Sequence, residues 1–422
     1  MSVWTAKVAN RPVPVFANLL GKDGKHMQWI VSALLLVNLF AGVAFGAEPI
    51  KIGAVLPLND VTGKQSAAAM KLAVAEINRA GGVLGRPLSL IIADDEMKAE
   101  KGAAAIEKLA IVDKVDIFVG GMSSSVHLAQ IPLLKKYKKV TVWAGAASSL
   151  CEEMLENEPW YFHLHLWDYM QGQQYFKGWG EIKKKYPKVK LQRWFFAYED
   201  GAYGSSAYKH YLGVTPPADW KRKGAYFKSA ASGQADYRDV LRRAMVYKPD
   251  IFIMVGYEGD ALPIMQQSRQ LGFAPPIFAG ASPGWPPHFG QSPLAENVCI
   301  YSFWSPSMKN VSKVAGHFWH AYKKEFNAEP TTYFAPLAYS NIYIVAEAIK
   351  KSGSIENQAL IKALEATRYE SPLGDTIVFR PSKIAKHQGT GTYKIFQWQK
   401  GVLQVIWPFE MATASFRYPY KH

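Results

Sequence analysis

Three consecutive serines, Ser123-Ser124-Ser125, follow a short apolar run ending at Gly120 and precede a stretch with helical periodicity. Hydroxyls and free N–H groups at a helix start can receive an anion, or the same serines simply cap the helix. A second run of small residues, Gly145-Ala146-Ala147-Ser148, also follows a strand-like segment, Val140 to Ala144. Gly280-Ala281-Ser282-Pro283-Gly284 satisfies G-x-S-x-G, the pattern of a serine nucleophile on a sharp strand-to-helix turn. Pro283, Pro286 and Pro287 deny Ser282 that helix, because proline has no N–H to donate and clashes with the preceding turn. His317 and His320, spaced i, i+3 on the helical stretch Val311 to Phe326, could face one metal ion, yet no carboxylate or third histidine stands beside them in a ligand pattern. With only two cysteines, Cys151 and Cys299, a cysteine-rich zinc module is excluded and one disulfide is the most the chain can make. No glycine-rich loop has the spacing of a phosphate or dinucleotide fingerprint. Catalysis has no chemical foothold here, and neither a metal nor a cofactor is expected.

Those segments are positioned by a regular alternation. An apolar strand pattern, Ile50 to Leu56, leads through a loop with Gly63 into a helical stretch, Ala67 to Arg79, with Met70, Val74 and Ile77 on one face and Gly81-Gly82 as its stop. A strand at Leu88 to Ala93, a helix at Lys101 to Ile111 and a strand at Asp116 to Gly120 follow. The pattern recurs as strands at Trp194 to Tyr198, Tyr226 to Lys228 and Asp250 to Val255, with helices at Tyr203 to Leu212 and Asp236 to Val246. Strands alternating with helices imply parallel sheets wound by right-handed crossovers, here two similar α/β units in tandem.

At 422 residues the chain is long enough for two or three units, and 49% apolar against 20% charged residues excludes wholesale disorder. Its net charge of +15 comes from scattered Lys and Arg, which favours a general field over a nucleic-acid stripe. Near the N-terminus, Trp29 to Phe45 is apolar except for Ser32, Asn38 and Gly42, and Lys22, Lys25 and His26 precede it. This reads as a signal peptide, with Ala44-Phe45-Gly46 offering small residues at the cleavage-determining positions. Processing is expected after Gly46, with Ala47 as the neighbouring alternative, which removes residues 1–46 and leaves a chain of net charge +12. The other reading is an uncleaved anchor helix, for which the stretch is slightly short. No cysteine lies near the cleavage point to carry a lipid, so a freely soluble periplasmic protein is the expected product.

Lys51-Ile52-Gly53-Ala54-Val55-Leu56-Pro57-Leu58, Ala73-Val74-Ala75-Glu76-Ile77-Asn78, Gly81-Gly82-Val83-Leu84-Gly85-Arg86 and Asp94-Asp95 stand in an order and spacing that resembles the opening of the branched-chain amino acid binding proteins of ABC importers. Gly120 to Ser125, Asp200 with Tyr203-Gly204, Asp236 to Leu241, Lys248 to Phe252 and Tyr393 to Trp398 extend the resemblance over nearly all of the chain after the leader. It implies a type I periplasmic binding fold, two doubly wound parallel-sheet lobes joined by three crossovers near His165, Tyr301 and Leu373. The first lobe is then 47–165 plus 302–372, and the second 166–301 plus 373–422 with the C-terminal tail. The resemblance further implies a monomer that closes on one small ligand, a carboxylate, and presents it to an inner-membrane ABC permease; no nucleic acid is implied as a partner. A ligand-sensing regulatory receptor of the same fold is the alternative, and it would need an output partner.

Site residues follow from the same resemblance. Ser124, with Ser123, is placed at the ligand; Ala146 and Ser148 lie in the segment that holds a ligand carboxylate, with Ala147 or Ser148 where the family has a threonine. Tyr257 matches a ligand-contacting tyrosine of the opposite lobe, or it packs beside a strand end. Ser282 stands where amino-acid binders of the family place a glutamate against the ligand ammonium, and it cannot supply that charge; Glu258 could, if it turned inward. Trp143, Trp285 and Trp304 surround the presumed cleft, as aromatic walls for an apolar ligand body or as core. Cys151 and Cys299 fall in different lobes on this layout and are expected unpaired.

Overall fold

A computed structural model describes residues 48–420 except 216, 230–235, 258, 283, 284 and 286. The leader-like stretch, its cleavage point and Glu258 lie outside the described residues. The chain first runs β1 (Ile50–Leu56), α1 (Val61–Arg79), β2 (Leu88–Asp94), α2 (Ala99–Ile111), β3 (Ile117–Gly120), α3 (Ser124–Tyr137), β4 (Thr141–Trp143), α4 (Ser149–Met154) and β5 (Tyr161–His163). It continues through α5 (Asp168–Lys185), β6 (Arg193–Glu199), α6 (Ala202–Gly213), β7 (Lys221–Phe227), α7 (Arg238–Tyr247), β8 (Ile251–Val255), α8 (Ala261–Gln270), β9 (Ile277–Ala281) and β10 (Cys299–Ser302). Then come α9 (Lys313–Phe326), α10 (Phe334–Ser352) and α11 (Asn357–Glu365). The short strands β11 (Tyr369–Glu370), β12 (Thr376–Ile377), β13 (Phe379–Arg380) and β14 (Gln388–Gly389) precede a final hairpin, β15 (Lys394–Gln399) and β16 (Val402–Trp407).

Two seven-stranded sheets result, ordered β13-β14-β5-β4-β3-β1-β2 and β16-β15-β10-β9-β8-β6-β7. In each, five successive strands are parallel; at one edge of the first sheet β14 adds in parallel and β13 antiparallel, and at one edge of the second β15 and β16 form an antiparallel hairpin. Central parallel strands are covered on both faces, which is why β8 reads as an unbroken apolar run with all five residues buried. The helices that cover them carry apolar stripes; α1 buries Met70, Ala73 and Ile77 against the first sheet.

α1 begins six residues earlier than the apolar periodicity indicates. Asp60 caps it, its carboxylate accepting the Thr62 N–H at 2.7 Å. Gly63, expected in a loop, lies in the first turn of the helix, where an added Cβ would stand 2.0 Å from the Pro57 carbonyl oxygen. The stop falls where expected: Gly81 and Gly82 adopt φ of +98° and +72°, and the Gly82 N–H reaches back to the Ile77 carbonyl.

The chain passes between the sheets from His163 to Asp168, after Ser302, and between Gly389 and Lys394. The third passage is therefore not near Leu373. β14 pairs in parallel with β5 through Gln388 and His163, and β13 pairs with β14, so both extend the first sheet. Two-residue strands carry no readable alternation, which is why the sequence placed the passage too early.

The three passages are tied together. His165 Nε2 shares hydrogen bonds with the Tyr333 hydroxyl at 2.8 Å and the Tyr393 hydroxyl at 3.2 Å, and its ring stands edge-on to Phe303. Lys394, fully buried, donates to the carbonyls of Phe303 and Thr392 and to the Asp375 carboxylate. All three protons of its ammonium group are thus matched, the condition under which a buried charge is tolerated.

Candidate functional site

In an open parallel sheet, ligands bind at the carboxyl ends of the strands where the winding direction reverses. The strand orders place that reversal between β1 and β3 in the first sheet and between β6 and β8 in the second. The loops after these strands, with the helix starts they lead into, carry Asn59 to Val61, Gly121 to Ser125, Asp200-Gly201 and Gly256-Tyr257. They face one another across a wide cleft of about 990 Å³, with Asp60, Ser123 and Ser125 on one bank and Glu199, Asp200 and Tyr257 on the other. The lobes touch across it, the Ser125 hydroxyl accepting the Ala202 N–H at 3.3 Å.

Deeper in, between the lobes, lies a small cavity of about 20 Å³, room for about one water. Ser124, Ala146, Ala147 and His165 line it from the first lobe, Tyr203, Tyr257 and Ser282 from the second, and Tyr333 and Phe334 complete the wall. No carboxylate is among these described residues. Burial holds the tyrosine hydroxyls of Tyr203 and Tyr257 well above their ordinary range, and it lowers His165 to about 4 despite its hydrogen bond to the Leu166 carbonyl. The wall is therefore uncharged at neutral pH and presents hydroxyl donors, suited to an anion that brings its own charge.

Local sequence explains how these groups are held. After β3, Gly120 and Gly121 take φ of +116° and +90°, and an added Cβ on Gly121 would stand 1.9 Å from the Trp143 indole nitrogen, so the turn accepts only glycine. That turn delivers Ser123 as the cap of α3, facing the Val126 N–H at 3.5 Å, and Ser124 as its first residue. The Ser124 hydroxyl accepts the Ser148 N–H at 3.2 Å, which joins the two segments of small residues. Ser148 caps α4 through the Leu150 N–H and lines none of these spaces. Trp143 is a correction to the expected aromatic wall: fully buried, it stacks on His127 in the core of the first lobe. Trp285 and Trp304 line a separate chamber that shares Ser282 with the small cavity.

His165, Tyr203, Tyr333 and Phe334 were not among the residues chosen from sequence. His165 and Tyr203 lay in segments already singled out, whereas Tyr333-Phe334 follows a loop with no strand before it and gave no signal. A second group also escaped the sequence: Asp168, completely buried at the start of α5, accepts from the Ser149 N–H and the Ser206 hydroxyl and pairs with His210 Nδ1 at 3.2 Å. Ser149 belongs to the first lobe and Ser206 and His210 to the second, so the group bridges the lobes. Asp168 raises the His210 pKa.

The chemistry-bearing patterns elsewhere are accounted for. Ser282 enters a turn after β9, its N–H bonded to the Tyr301 carbonyl, and the next described helical residues form a short 3₁₀ turn, Pro287–Gln291. His317 pairs with Glu76 and His320 sits edge-on to Trp319. Among the described residues no group of three or more His, Cys, Asp or Glu side chains is gathered as a metal would need. Cys151 and Cys299 are both buried and unpaired.

The model of a family described as periplasmic binding protein matches residues 49–402. A Leu/Ile/Val-binding protein homologue of Brucella abortus is 23% identical over 409 residues, covering 92% of this chain and 98% of its own. A branched-chain amino acid transporter substrate-binding protein of Streptococcus pneumoniae, solved with isoleucine, is 21% identical, with a TM-score of 0.73 over 88% of this chain and 100% of its own. A solute-binding protein of a Rhodopseudomonas palustris ABC transporter, solved with 3,4-dihydroxybenzoic acid, is 22% identical, with a TM-score of 0.70 over 84% and 95%.

Proposed function

We propose, from the premise that the chain belongs to the periplasmic binding protein family, that it captures one small carboxylate between its lobes and delivers it to an inner-membrane ABC permease. The observation that carries this reading is the uncharged cavity walled from both lobes by Ser124, Tyr203, Tyr257 and Ser282. Contacts from both walls exist only when the lobes are shut, so a ligand that makes them shifts the open-to-closed equilibrium by its differential affinity for the two states. The Ser124 hydroxyl and the two tyrosine hydroxyls act on the carboxylate. Where an α-ammonium group would sit, Ser282 offers no charge, so ligands without that group, aromatic or aliphatic acids, are favoured over amino acids. The two solved relatives bracket this choice, one holding isoleucine and the other an aromatic acid.

The export reading accompanies the function. No described helix is long and apolar enough to cross a membrane. The chain is proposed to lose residues 1–46 and to work in the periplasm as a monomer. A thermal-shift screen tests the ligand class. A ligand at 100 times its dissociation constant stabilises by about 2.7 kcal/mol, and aromatic or aliphatic carboxylates should exceed leucine, isoleucine and valine. A melting curve moved only by the branched-chain amino acids would sink the emphasis on Ser282.

A further inference from the structure

Counted from residue 47, the two lobes carry unequal charge. The second, 166–302 with 391–422, holds 21 Lys and Arg against 12 Asp and Glu, and the first holds 24 against 21, so most of the net positive charge belongs to the second lobe. Scattered in sequence, these cations are gathered by the fold. Parallel strands point their carboxyl ends at the cleft and the connecting helices run back, so the far pole of the lobe collects the end of α5, the starts of β6, β7 and β8 and the end of α7. Arg193 and Lys221 stand opposite one another in register there, and the Asp250 N–H bonds to the Arg193 carbonyl. Lys184, Lys188, Lys190, Arg193, Lys221 and Lys248 are all exposed at this pole, and among the described residues none makes an ion pair or a side-chain hydrogen bond. The segments 183–193, 219–223 and 242–250 contain two carboxylates: Asp250 is buried and accepts the Gln192 and Arg193 N–H groups, which leaves Asp219 exposed. The matching pole of the first lobe is built differently, with Lys108 paired to Asp113, Lys135 to Glu158 and Lys136 to Glu107. A helix dipole accounts for lysines at the end of α5, and protection of a sheet edge for those on β7, yet neither requires acids to be left out.

Between β7 and α7 the pole opens into a groove of about 530 Å³. Lys223, Arg242 and Arg243 line it without any carboxylate, Arg243 being paired with Asp239. Phe195, Ala225 and Tyr247 supply an apolar wall, and Val246, 85% exposed, is the most exposed large apolar side chain among the described residues. A small anion needs donors that converge on one point. Exposed cations spread over three segments beside an apolar groove instead fit a broad surface that offers phosphates with hydrocarbon beneath them. A soluble polyanion matches the charge alone.

Resting on the inner-membrane delivery read above, we infer that this pole docks on the anionic phospholipid surface of that membrane, with phosphates on the free cations and Val246 among the headgroups. The cleft lies at the opposite end of the lobe, so docking leaves it open to ligand.

Co-sedimentation of the purified chain from residue 47 with vesicles, no solute added, tests this. Vesicles of phosphatidylethanolamine mixed with phosphatidylglycerol should bind at least tenfold more tightly than phosphatidylcholine vesicles at low salt, and about 0.5 M salt should abolish the difference, because the Debye length falls to a few ångströms. The triple variant Lys188→Glu, Lys190→Glu, Lys221→Glu should weaken binding at least tenfold. Lys350→Glu, Lys362→Glu and Arg380→Glu together make the same charge change at exposed sites of the first lobe and should cost no more than about threefold. Should the polar triple fold poorly, Lys223→Gln with Arg242→Gln strips the groove and should cost about fivefold. No preference for phosphatidylglycerol overturns the docking surface, and equal loss in the two triples reduces it to net charge and overturns it too. Polyglutamate bound through the same cations with no vesicle bound replaces the membrane by an acidic protein and overturns it as well. The function reading fails separately: a carboxylate screen that moves no melting curve, with vesicle binding intact, removes that reading and keeps the pole, and loss of vesicle binding alone does the reverse.

Discussion

Ser124 has two tasks, and separating them is the sharpest residue-scale test. Its side chain lines the cavity and its hydroxyl also accepts the Ser148 N–H. Ser124→Ala should therefore lower ligand affinity about ten- to a hundred-fold and also cost about 1–3 kcal/mol of unliganded stability, since a buried N–H is left unmatched. Tyr257→Phe removes only a hydroxyl and should lower affinity with the melting temperature almost unmoved. Titration and melting of both variants decide it; a Ser124→Ala protein that melts lower yet binds normally has lost a structural bond alone. Both residues were legible in sequence because each closely follows an apolar strand. Tyr333 and Phe334, on the opposite wall, were not, because a residue that enters a site from a loop leaves no periodic trace. His210 was equally silent, since its role depends on Asp168 arriving from another helix. Its pKa is raised above the ordinary 6.5 by the hydrogen bond to Asp168, against the opposing effects of burial and of Lys209. A raised base stabilises fully below the ordinary value and loses that contribution as pH climbs through the raised one. The melting temperature should fall as pH rises from about 6.5, more in the parent than in His210→Asn. Parallel pH profiles in the two proteins would show that the bridge adds nothing.

At the scale of elements, the parallel strands were readable because burial on both faces leaves an apolar run, and helices were readable from their stripes. Helix starts and edge strands were not. α1 hides its first turn because Gly63 looks like a breaker, yet glycine is there for want of room, with the Pro57 carbonyl 2.0 Å from where a Cβ would be. Gly180, within α5, has nothing within 4 Å of the same position. The same substitution should therefore act with opposite signs. Gly63→Ala forces backbone apart and should cost about 1–3 kcal/mol, while Gly180→Ala should gain up to about 1 kcal/mol from better helix propensity. Urea midpoints at unchanged slope measure both. Because the segment displaced in Gly63→Ala carries Asn59 to Val61 into the cleft, that variant should also bind ligand more weakly.

For the molecule as a whole, the alternation of strand and helix was enough to give two α/β units, and the resemblance added how they are joined. Neither could locate the last passage, whose neighbours β13 and β14 are two residues each. The export reading makes one demand of the intact protein: material recovered from the periplasm should begin at Ala47 by N-terminal sequencing. Finding Trp29 to Phe45 still attached would overturn processing and location together.

The fastening of the three passages has a mechanical meaning. Lys394 clamps the second strand of the joint to the third, and His165 links the first to Tyr393, so the three threads are fastened to one another as the parts of a single bearing. Two parts of that bearing, His165 and Tyr333, are also wall of the small cavity proposed to hold the ligand. Whatever presses on the wall presses on the bearing, and the angle between the lobes becomes a measure of ligand shape. On the delivery proposed above, a permease that grasped both lobes at once would read that angle, and a molecule held tightly with the joint ajar would not be passed on.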